Sequence, residues 1–488
     1  MISTYHAASR ILIKSFTAAG VFITFGCSLV SEKPKVNLDK IYSKAAKSHD
    51  TEINPVIVIP GILGSNLIDS VTKKSIWGVY DNNYINLKKP ENLSTLALPL
   101  HGTNQSTKGI PNGALSSIKF RALGVPFKQK AYANVLKTLG AGGYTDQDLS
   151  YSDVNWGKDH FTCFQFDYDW RLSNAENAAA LHRFILEKKK YVQAKSLELR
   201  GVKRKNVKFD IVAHSMGGIL ARYYLRHGQQ NLPEDGSLPK LNWAGAQHVD
   251  QLIMVGSPNS GSVYAFNDLL EGQNLIPTWQ RVLLGVNLPK FPRAVLASYP
   301  SIYELMPRTR HKPVINNADH SVLDIYDPAL WERQRWGIHH PSEKDNLALL
   351  LPDVTSPAER EKIATSHLRR CLRRAGQFHR SIDRPATPPK GLRISLIAGD
   401  ATSTSSQIKY DLVENKRIDH DFQPGDGTVI RSSALSDQRV GVDKPSIRLQ
   451  SPIRFHRVTF LPEEHLGLTT SQAFTDNVLY QLLQEPKQ

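Results

Sequence analysis

The stretch Asp210-Ile-Val-Ala-His-Ser-Met-Gly-Gly218 runs from an apolar, β-branched segment into a serine with small residues on either side. A serine on a sharp strand-to-helix turn has its hydroxyl lifted clear of the sheet, and small flanking residues permit the strained backbone that this requires. The usual pattern is Gly-x-Ser-x-Gly. Here Ala213 fills the first position, and Gly217 and Gly218 fill the far side. Ser215 is the candidate nucleophile, and the chemistry is acyl transfer through an acyl-serine intermediate. The backbone N–H of Met216, the residue after it, supplies one oxyanion donor, and the helix N-terminus beneath favours developing negative charge. His214 points away from the nucleophile's base and reads as a structural residue.

A serine nucleophile needs a base, and the base needs an orienting carboxylate. Leu461-Pro-Glu-Glu-His-Leu-Gly467 sets His465 on a loop after the last apolar run and before a terminal helix with Phe474, Val478 and Leu482 on one face. None of the other 16 histidines shares that position, so His465 is the candidate base. Two acids qualify. Asp400 directly ends the run Leu392–Ala398, whereas Asp426 lies between glycines in Pro424-Gly-Asp-Gly-Thr-Val429. Strand position alone favours Asp400.

These residues need a scaffold that gathers strand ends. Pro55–Ile59, Val207–Ala213, Leu252–Val255, Leu392–Ala398 and Arg457–Leu461 are apolar on both faces, as parallel strands covered by helices must be. Ser173-x-x-Glu176 is a capping box opening a helix with Leu181, Phe184, Ile185 and Val192 on one face, and the helix after Ser215 stops near Gly228. The alternation implies an α/β fold with a mostly parallel, doubly wound sheet, whose chemistry gathers at the carboxyl ends of its strands. The rhythm breaks between Ser262 and Lys390, a proline-rich segment read as an inserted cap. Asn66–Asn112 is a second candidate insertion. The organisation expected is a signal segment over 1–26, a polar tether over 27–54, the first part of the core over 55–261, the cap over 262–390 and the rest of the core over 391–488.

At 488 residues with 40% hydrophobic and 22% charged side chains, the chain can bury a large core, which excludes fibrous and wholly disordered classes. Arg10 and Lys14 precede the apolar run Phe16–Gly26, which is too short for a bilayer span of ~20 residues and reads as an export signal. Thr24-Phe-Gly-Cys27 resembles a lipobox, so an exported protein is expected, either anchored at the cell envelope through a lipidated Cys27 or secreted. Three cysteines exclude a disulfide framework, although Cys163 and Cys371 remain one candidate pair in an oxidising compartment. No cofactor or metal-binding pattern is present. The net charge of +16 favours anionic surfaces, and no nucleic-acid-binding signature accompanies it.

Pro60-Gly-Ile-Leu-Gly-Ser65, Tyr168-Asp-Trp-Arg171, His214-Ser-Met-Gly217, Gly256-Ser-Pro-Asn-Ser-Gly-Ser262, Tyr299-Pro-Ser-Ile-Tyr-Glu-Leu-Met-Pro307 and Gly425-Asp-Gly-Thr-Val429 follow one another along the chain. Together they resemble the motifs of the lecithin–cholesterol acyltransferase-like family, from Pro55 to about Leu482. The resemblance implies an α/β-hydrolase fold and selects Asp426 as the acid, leaving Asp400 as the alternative. It also points to Leu63 as the second oxyanion donor and to phospholipid or other acyl-ester lipids as substrate. Asp169, Trp170 and Arg171 read as a brace for their loop.

The function expected is a serine acyl-ester hydrolase or O-acyltransferase acting on lipids at an anionic membrane surface. A cap with Tyr299, Tyr303, Trp331 and Trp336 would suit such a surface. The basic runs Lys188–Lys190 and Arg369–Arg374 read as solvated helix faces. The disulfide pattern of the animal lipid acyltransferases is missing, which removes support for sterol acceptors. Two other readings stay open, a secreted esterase on soluble esters and a catalytically idle envelope-binding protein.

Overall fold

Five apolar runs become the core strands of one sheet because both their faces find a helical layer. The computed structural model describes residues 41–42, 44, 53–78, 90–101, 109–114, 117–122, 125–130, 133–146, 161–273, 290–443 and 446–486. The signal segment and Cys27 lie outside these residues. The strands are β1 (Val56–Ile59), β2 (Phe161–Gln165), β3 (Phe209–His214), β4 (Val249–Val255), β5 (Arg393–Gly399), β6 (Thr402–Asp411), β7 (Lys416–Gly425) and β8 (Arg457–Leu461). The central sheet has seven strands in the order β8-β5-β4-β3-β1-β2, with the two-residue strand Thr145–Asp146 at the far edge. Every neighbouring pair is parallel. The chain leaves β1 toward one edge and returns beside it at β3, so a topological switch point opens between β1 and β3, where such sheets bind ligands.

Side chains along a strand alternate between faces. Ile57, Ile59, Ile211, Ala213, Leu252, Met254 and Leu396 join the larger apolar cluster, while Val56, Val58, Val212, Ile253, Val255 and Ile397 join a smaller one. Helices α1 (Asn174–Arg200) and α2 (Met216–His227) cover the first face with Leu181, Ile185 and Ile219. Residues Val135 and Leu139, with Phe474 and Val478 of the terminal helix, cover the second. The capping box forms as expected, since Ser173 Oγ accepts from the Ala175 N–H at the start of α1.

Between β4 and β5 lie α3 (Val263–Glu271) and the 27-residue α4 (Pro357–Asp383). Leu368, Leu372 and Phe378 of α4 belong to the same cluster as the sheet, and Phe378 stacks on Tyr223 of α2 with ring centroids 5.3 Å apart. Tyr299, Tyr303, Trp331 and Trp336, whose presence in the cap the sequence reads as suited to a membrane surface, are at most 2% exposed. Aromatic surface of that size is more favourably buried in a core than left in water. These four side chains therefore lend that expectation no support.

Two further details differ from the sequence reading. Within the expected tether, Tyr42 is buried and its hydroxyl donates to Asp476 Oδ1 at 2.8 Å, so the segment is pinned there. Cys163 in β2 and Cys371 in α4 are both buried thiols that form no disulfide with each other, and burial pushes the Cys371 thiol up to about 12. Among the described residues no helix is long and apolar enough to cross a membrane.

The buried pair Asp169–Arg171 anchors the loop after β2, with guanidinium contacts of 2.8 and 2.6 Å to both carboxylate oxygens. Arg171 also donates to the Leu96 carbonyl at 3.0 Å. Removing one partner of a buried pair leaves an uncompensated charge, at a cost of about 3–5 kcal/mol. Asp169→Asn is expected to lower the unfolding free energy by about 3–5 kcal/mol, read as a lower urea midpoint with an unchanged m value; an unaltered midpoint would contradict the bracing role.

Candidate active site

Ser215 follows β3 directly and sits at φ 54, ψ −126, a conformation that an L-residue adopts only under constraint. Its N–H donates to Val255 O at 2.8 Å, which ties the turn to the end of β4. A Cβ on Gly217 would stand 2.5 Å from Pro60 O and 2.8 Å from Ile59 O, both backbone atoms. Glycine at this position therefore lets the start of α2 press against the loop that follows β1.

The loop after β8 brings His465 to this turn. His465 Nε2 lies 3.0 Å from Ser215 Oγ, and His465 Nδ1 lies 2.8 Å from Asp426 Oδ2. Asp426 directly follows β7, which pairs with β6 as an antiparallel hairpin between β5 and the acid. Its other oxygen, Oδ1, accepts from the N–H groups of Thr428 and Val429 at 2.9 and 2.7 Å. Burial raises the Asp426 pKa, but the His465 charge and hydrogen bond together with these two amides outweigh it, and the net result is a carboxyl below its ordinary value. The group stays a carboxylate, and the Nδ1–H of His465 donates to it.

Asp400 takes a different place. It pairs with Arg431 at 2.5 Å, and the guanidinium of Arg431 lies 3.7 Å above the Phe460 ring. Asp426 is thus the carboxylate that meets His465, and Asp400 is a strand-end ion pair.

His214 has a defined task that its position in the sequence did not reveal. Its Nε2 lies 3.1 Å from the His465 carbonyl, to which it donates, and the two rings are 4.8 Å apart. Burial, reinforced by the neighbouring His465, takes the His214 imidazole down to about 3, so it is neutral.

The loop of Gly61–Gly64 closes with a 3.1 Å bond from Gly64 N–H to Gly61 O, and Leu63 lies in the left-handed region at φ 62. Three ring donors hold it. Tyr168 Oη donates to Pro60 O at 2.8 Å, Trp77 Nε1 to Leu63 O at 2.8 Å, and Trp170 Nε1 to Ser65 O at 3.2 Å. Tyr168 and Trp170 carry the Tyr-Asp-Trp-Arg motif. Trp77 was not singled out in the sequence, where an isolated tryptophan after a turn gives no signal of its partner. Met216 occupies the first position of α2, where helix geometry leaves its N–H without an intrahelical acceptor. Among the described residues, no group of three or more His, Cys, Asp or Glu is arranged to hold a metal ion.

Glu304, in the motif Tyr299–Pro307, caps the start of α1. It accepts from Ser173 Oγ at 2.5 Å, Asn174 N at 2.7 Å and Asn174 Nδ2 at 2.8 Å. Burial pushes its carboxyl up to about 7 against these bonds.

The neutral His214 makes folding sensitive to acid. Its unfolded pKa is ~6.5, so as pH falls the unfolded chain binds this proton first, and stability drops from pH ~6.5 toward the folded value near 3. His214→Gln is expected to flatten the stability–pH slope below pH 6 by up to ~1.4 kcal/mol per pH unit. Urea unfolding of both proteins between pH 4 and 7 reads this directly, and parallel profiles would contradict a neutral His214.

The model of the lecithin:cholesterol acyltransferase family matches residues 128–334, under half of the chain. No protein of curated function matches the sequence. Among solved structures, that of the Tle4–Tli4 complex is similar at 16% identity, covering 89% of this chain and 98% of the other with a TM-score of 0.50, which speaks for a shared fold. The mature form of Bacillus licheniformis lipase BlEst2 is 12% identical over 89% of this chain and 93% of its own, with a TM-score of 0.30. EstA from Clostridium botulinum is 12% identical over 90% and 88%, with a TM-score of 0.32. The matched segment 128–334 includes Ser215 and is similar to the lecithin:cholesterol acyltransferase family's model, and the sheet with its covering helices is an α/β-hydrolase fold.

Proposed function

We propose that this chain is a serine acyl-ester hydrolase or O-acyltransferase that acts on lipid esters. Ser215 is the nucleophile, His465 the general base and then acid, Asp426 the orienting carboxylate, and the N–H groups of Leu63 and Met216 the oxyanion donors. The observation that carries this reading is the unbroken line of hydrogen bonds from Ser215 Oγ through the imidazole of His465 to Asp426.

In the first step Ser215 Oγ attacks the ester carbonyl carbon while His465 Nε2 takes the hydroxyl proton. Negative charge moves to the carbonyl oxygen, where each N–H donor contributes of the order of 3 kcal/mol in the transition state. Collapse of the tetrahedral intermediate breaks the ester C–O bond, and His465 returns the proton to the leaving alcohol. Water or a second alcohol then enters by the reverse sequence and releases the acyl group. Asp426 keeps Nδ1 protonated and stabilises the imidazolium without taking the proton. The family match over 128–334 supports a lipid rather than a soluble ester. Acyl release from phospholipid vesicles compared with short-chain soluble esters tests that choice, and added alcohols distinguish hydrolysis from transfer.

Ser215→Ala is expected to abolish turnover and fluorophosphonate labelling while the thermal midpoint holds, since loss of such a nucleophile costs several orders of magnitude in rate. Wild-type-like turnover in this variant would overturn the reading.

Asp426→Asn is expected to lower kcat by up to ~10⁴-fold, because an amide cannot stabilise the imidazolium and favours the wrong tautomer. Asp400→Asn, which only releases Arg431, should change kcat little. The opposite ranking in steady-state kinetics would reassign the acid.

A further inference from the structure

The hairpin of β6 and β7, which leads straight into Asp426, leaves several large apolar side chains in water. Val413 in its turn is 91% exposed, Phe422 60% and Ile418 43%. Tyr264, in the first turn of α3, is 45% exposed. Tyr264, Asn267 and Glu271 share one side of α3 by helical spacing. Arg417 of β7 meets the last two, donating to Asn267 Oδ1 at 2.7 Å and lying 3.8 Å from Glu271. Tyr264 therefore projects on the side of α3 that faces the hairpin. The same end of α3 is tied to the loop of the acid, since Ser262 Oγ donates to Thr428 O at 2.6 Å. Phe422 precedes Asp426 by four residues, about 13 Å of extended chain.

The turn that carries Val413 is braced. The N–H groups of Val413 and Glu414 both donate to Asp411 Oδ1, at 2.8 and 2.9 Å. Tyr410 Oη donates to Asn415 Oδ1 at 2.8 Å, and Asn415 Nδ2 donates to Gln334 O at 2.9 Å. Val413 is thus held out in water by fixed backbone. The charges of the hairpin nearly cancel, with three cations against four carboxylates from Thr402 to Gly425 on a chain of net +16. Each cation has an acidic neighbour. Lys409 lies 2.8 Å from Asp421 and 3.8 Å from Asp419, Lys416 pairs with Glu414, and Arg417 pairs with Glu271.

From this juxtaposition we infer that the hairpin and Tyr264 form the surface by which the chain sits on a zwitterionic lipid layer, with Val413 and Phe422 entering it. Aliphatic and aromatic side chains partition into such a layer, while the ion pairs beside them stay in its wet headgroup zone. A protein partner would bury those pairs, at a desolvation cost that interface cores avoid. Strand pairing with a second copy is opposed by Lys416, Arg417, Asp419 and Pro424 along β7, the edge strand of its sheet. An anionic surface gains nothing from a hairpin with no excess of cations. The inference rests on the proposed lipid substrate for its purpose, since it sets the Ser215 end of the sheet against the lipids. Its test reads binding apart from turnover.

The test uses the full chain with Cys27→Ser and Val413→Cys, labelled at position 413 with an environment-sensitive fluorophore and mixed with phosphatidylcholine vesicles. The emission is expected to shift to the blue and to be quenched by nitroxide-bearing lipid, equally at low and high salt. The same label placed by Leu197→Cys, at a 54% exposed position near the far end of α1, should stay as in water. Adding Phe422→Ser should raise the lipid concentration for half-response about tenfold, as expected for one large apolar side chain. The melting temperature and the turnover of a short-chain soluble ester should hold in that variant. The inference is overturned if the label at 413 stays as in water, if the label at 197 responds as much, or if Phe422→Ser leaves the half-response unchanged. It is equally overturned if the response needs anionic lipid and low salt, or if it follows protein concentration without vesicles, which marks a self-interface. A chain whose label responds as expected but which turns over no ester keeps this surface and loses only the proposed activity.

Discussion

Asp426 holds the base in place twice. Its carboxylate takes the Nδ1–H of His465, and its backbone carbonyl accepts the His465 N–H at 2.8 Å. The His465 carbonyl in turn accepts from His214, one residue before the nucleophile. Main chain and side chain of a single loop residue are thereby fixed to the two strands that flank it in the site. An imidazole held this way needs no reordering to meet the serine hydroxyl, and such preorganisation is where positioning lowers a barrier. Gly256 makes this packing feasible, since a Cβ there would lie 3.2 Å from His465 Nδ1 and 3.3 Å from Asp426 Oδ2.

On the other side of the nucleophile, the loop of Pro60–Ser65 is held by neutral donors instead. Two indoles and a phenol each take one carbonyl, and all three rings are buried. A rigid ring positions its donor with few rotatable bonds, so little side-chain entropy is lost in fixing the loop. Tyr168 and Trp170 are themselves fixed by the Asp169–Arg171 pair between and beside them. The Tyr-Asp-Trp-Arg motif thus shapes the loop beside Ser215 through that loop's backbone.

Much of this arrangement was legible in the sequence because it depends on local pattern. Strands apolar on both faces and the Ser173 cap mark elements that fold as they read, with Arg457–Leu461 matching its strand residue for residue. Ser215 and His465 were legible for a related reason, since each follows a strand end. The acid was not legible from strand position, which favoured Asp400. The hairpin β6–β7 carries the chain outward after β5 and returns it at Asp426, and its polar alternation from Thr402 to Asp411 does not resemble a core strand. The four cap aromatics gave no support to a membrane surface because composition records ring content but not direction, and all four are buried. The roles of Trp77 and His214 were hidden because both work on carbonyls, which every residue has.

The order in which the parts of this site occur along the chain has a consequence in time. Ser215 lies near the middle, whereas Asp426 and His465 arrive only with the last 63 residues. β8, at the edge of the sheet, is the last of its strands to leave the ribosome. Until it does, the serine has a strained backbone and no base, and its hydroxyl is an ordinary alcohol. On the proposed reading, a growing or truncated chain is chemically silent toward esters until the segment after the final strand brings His465 to the serine.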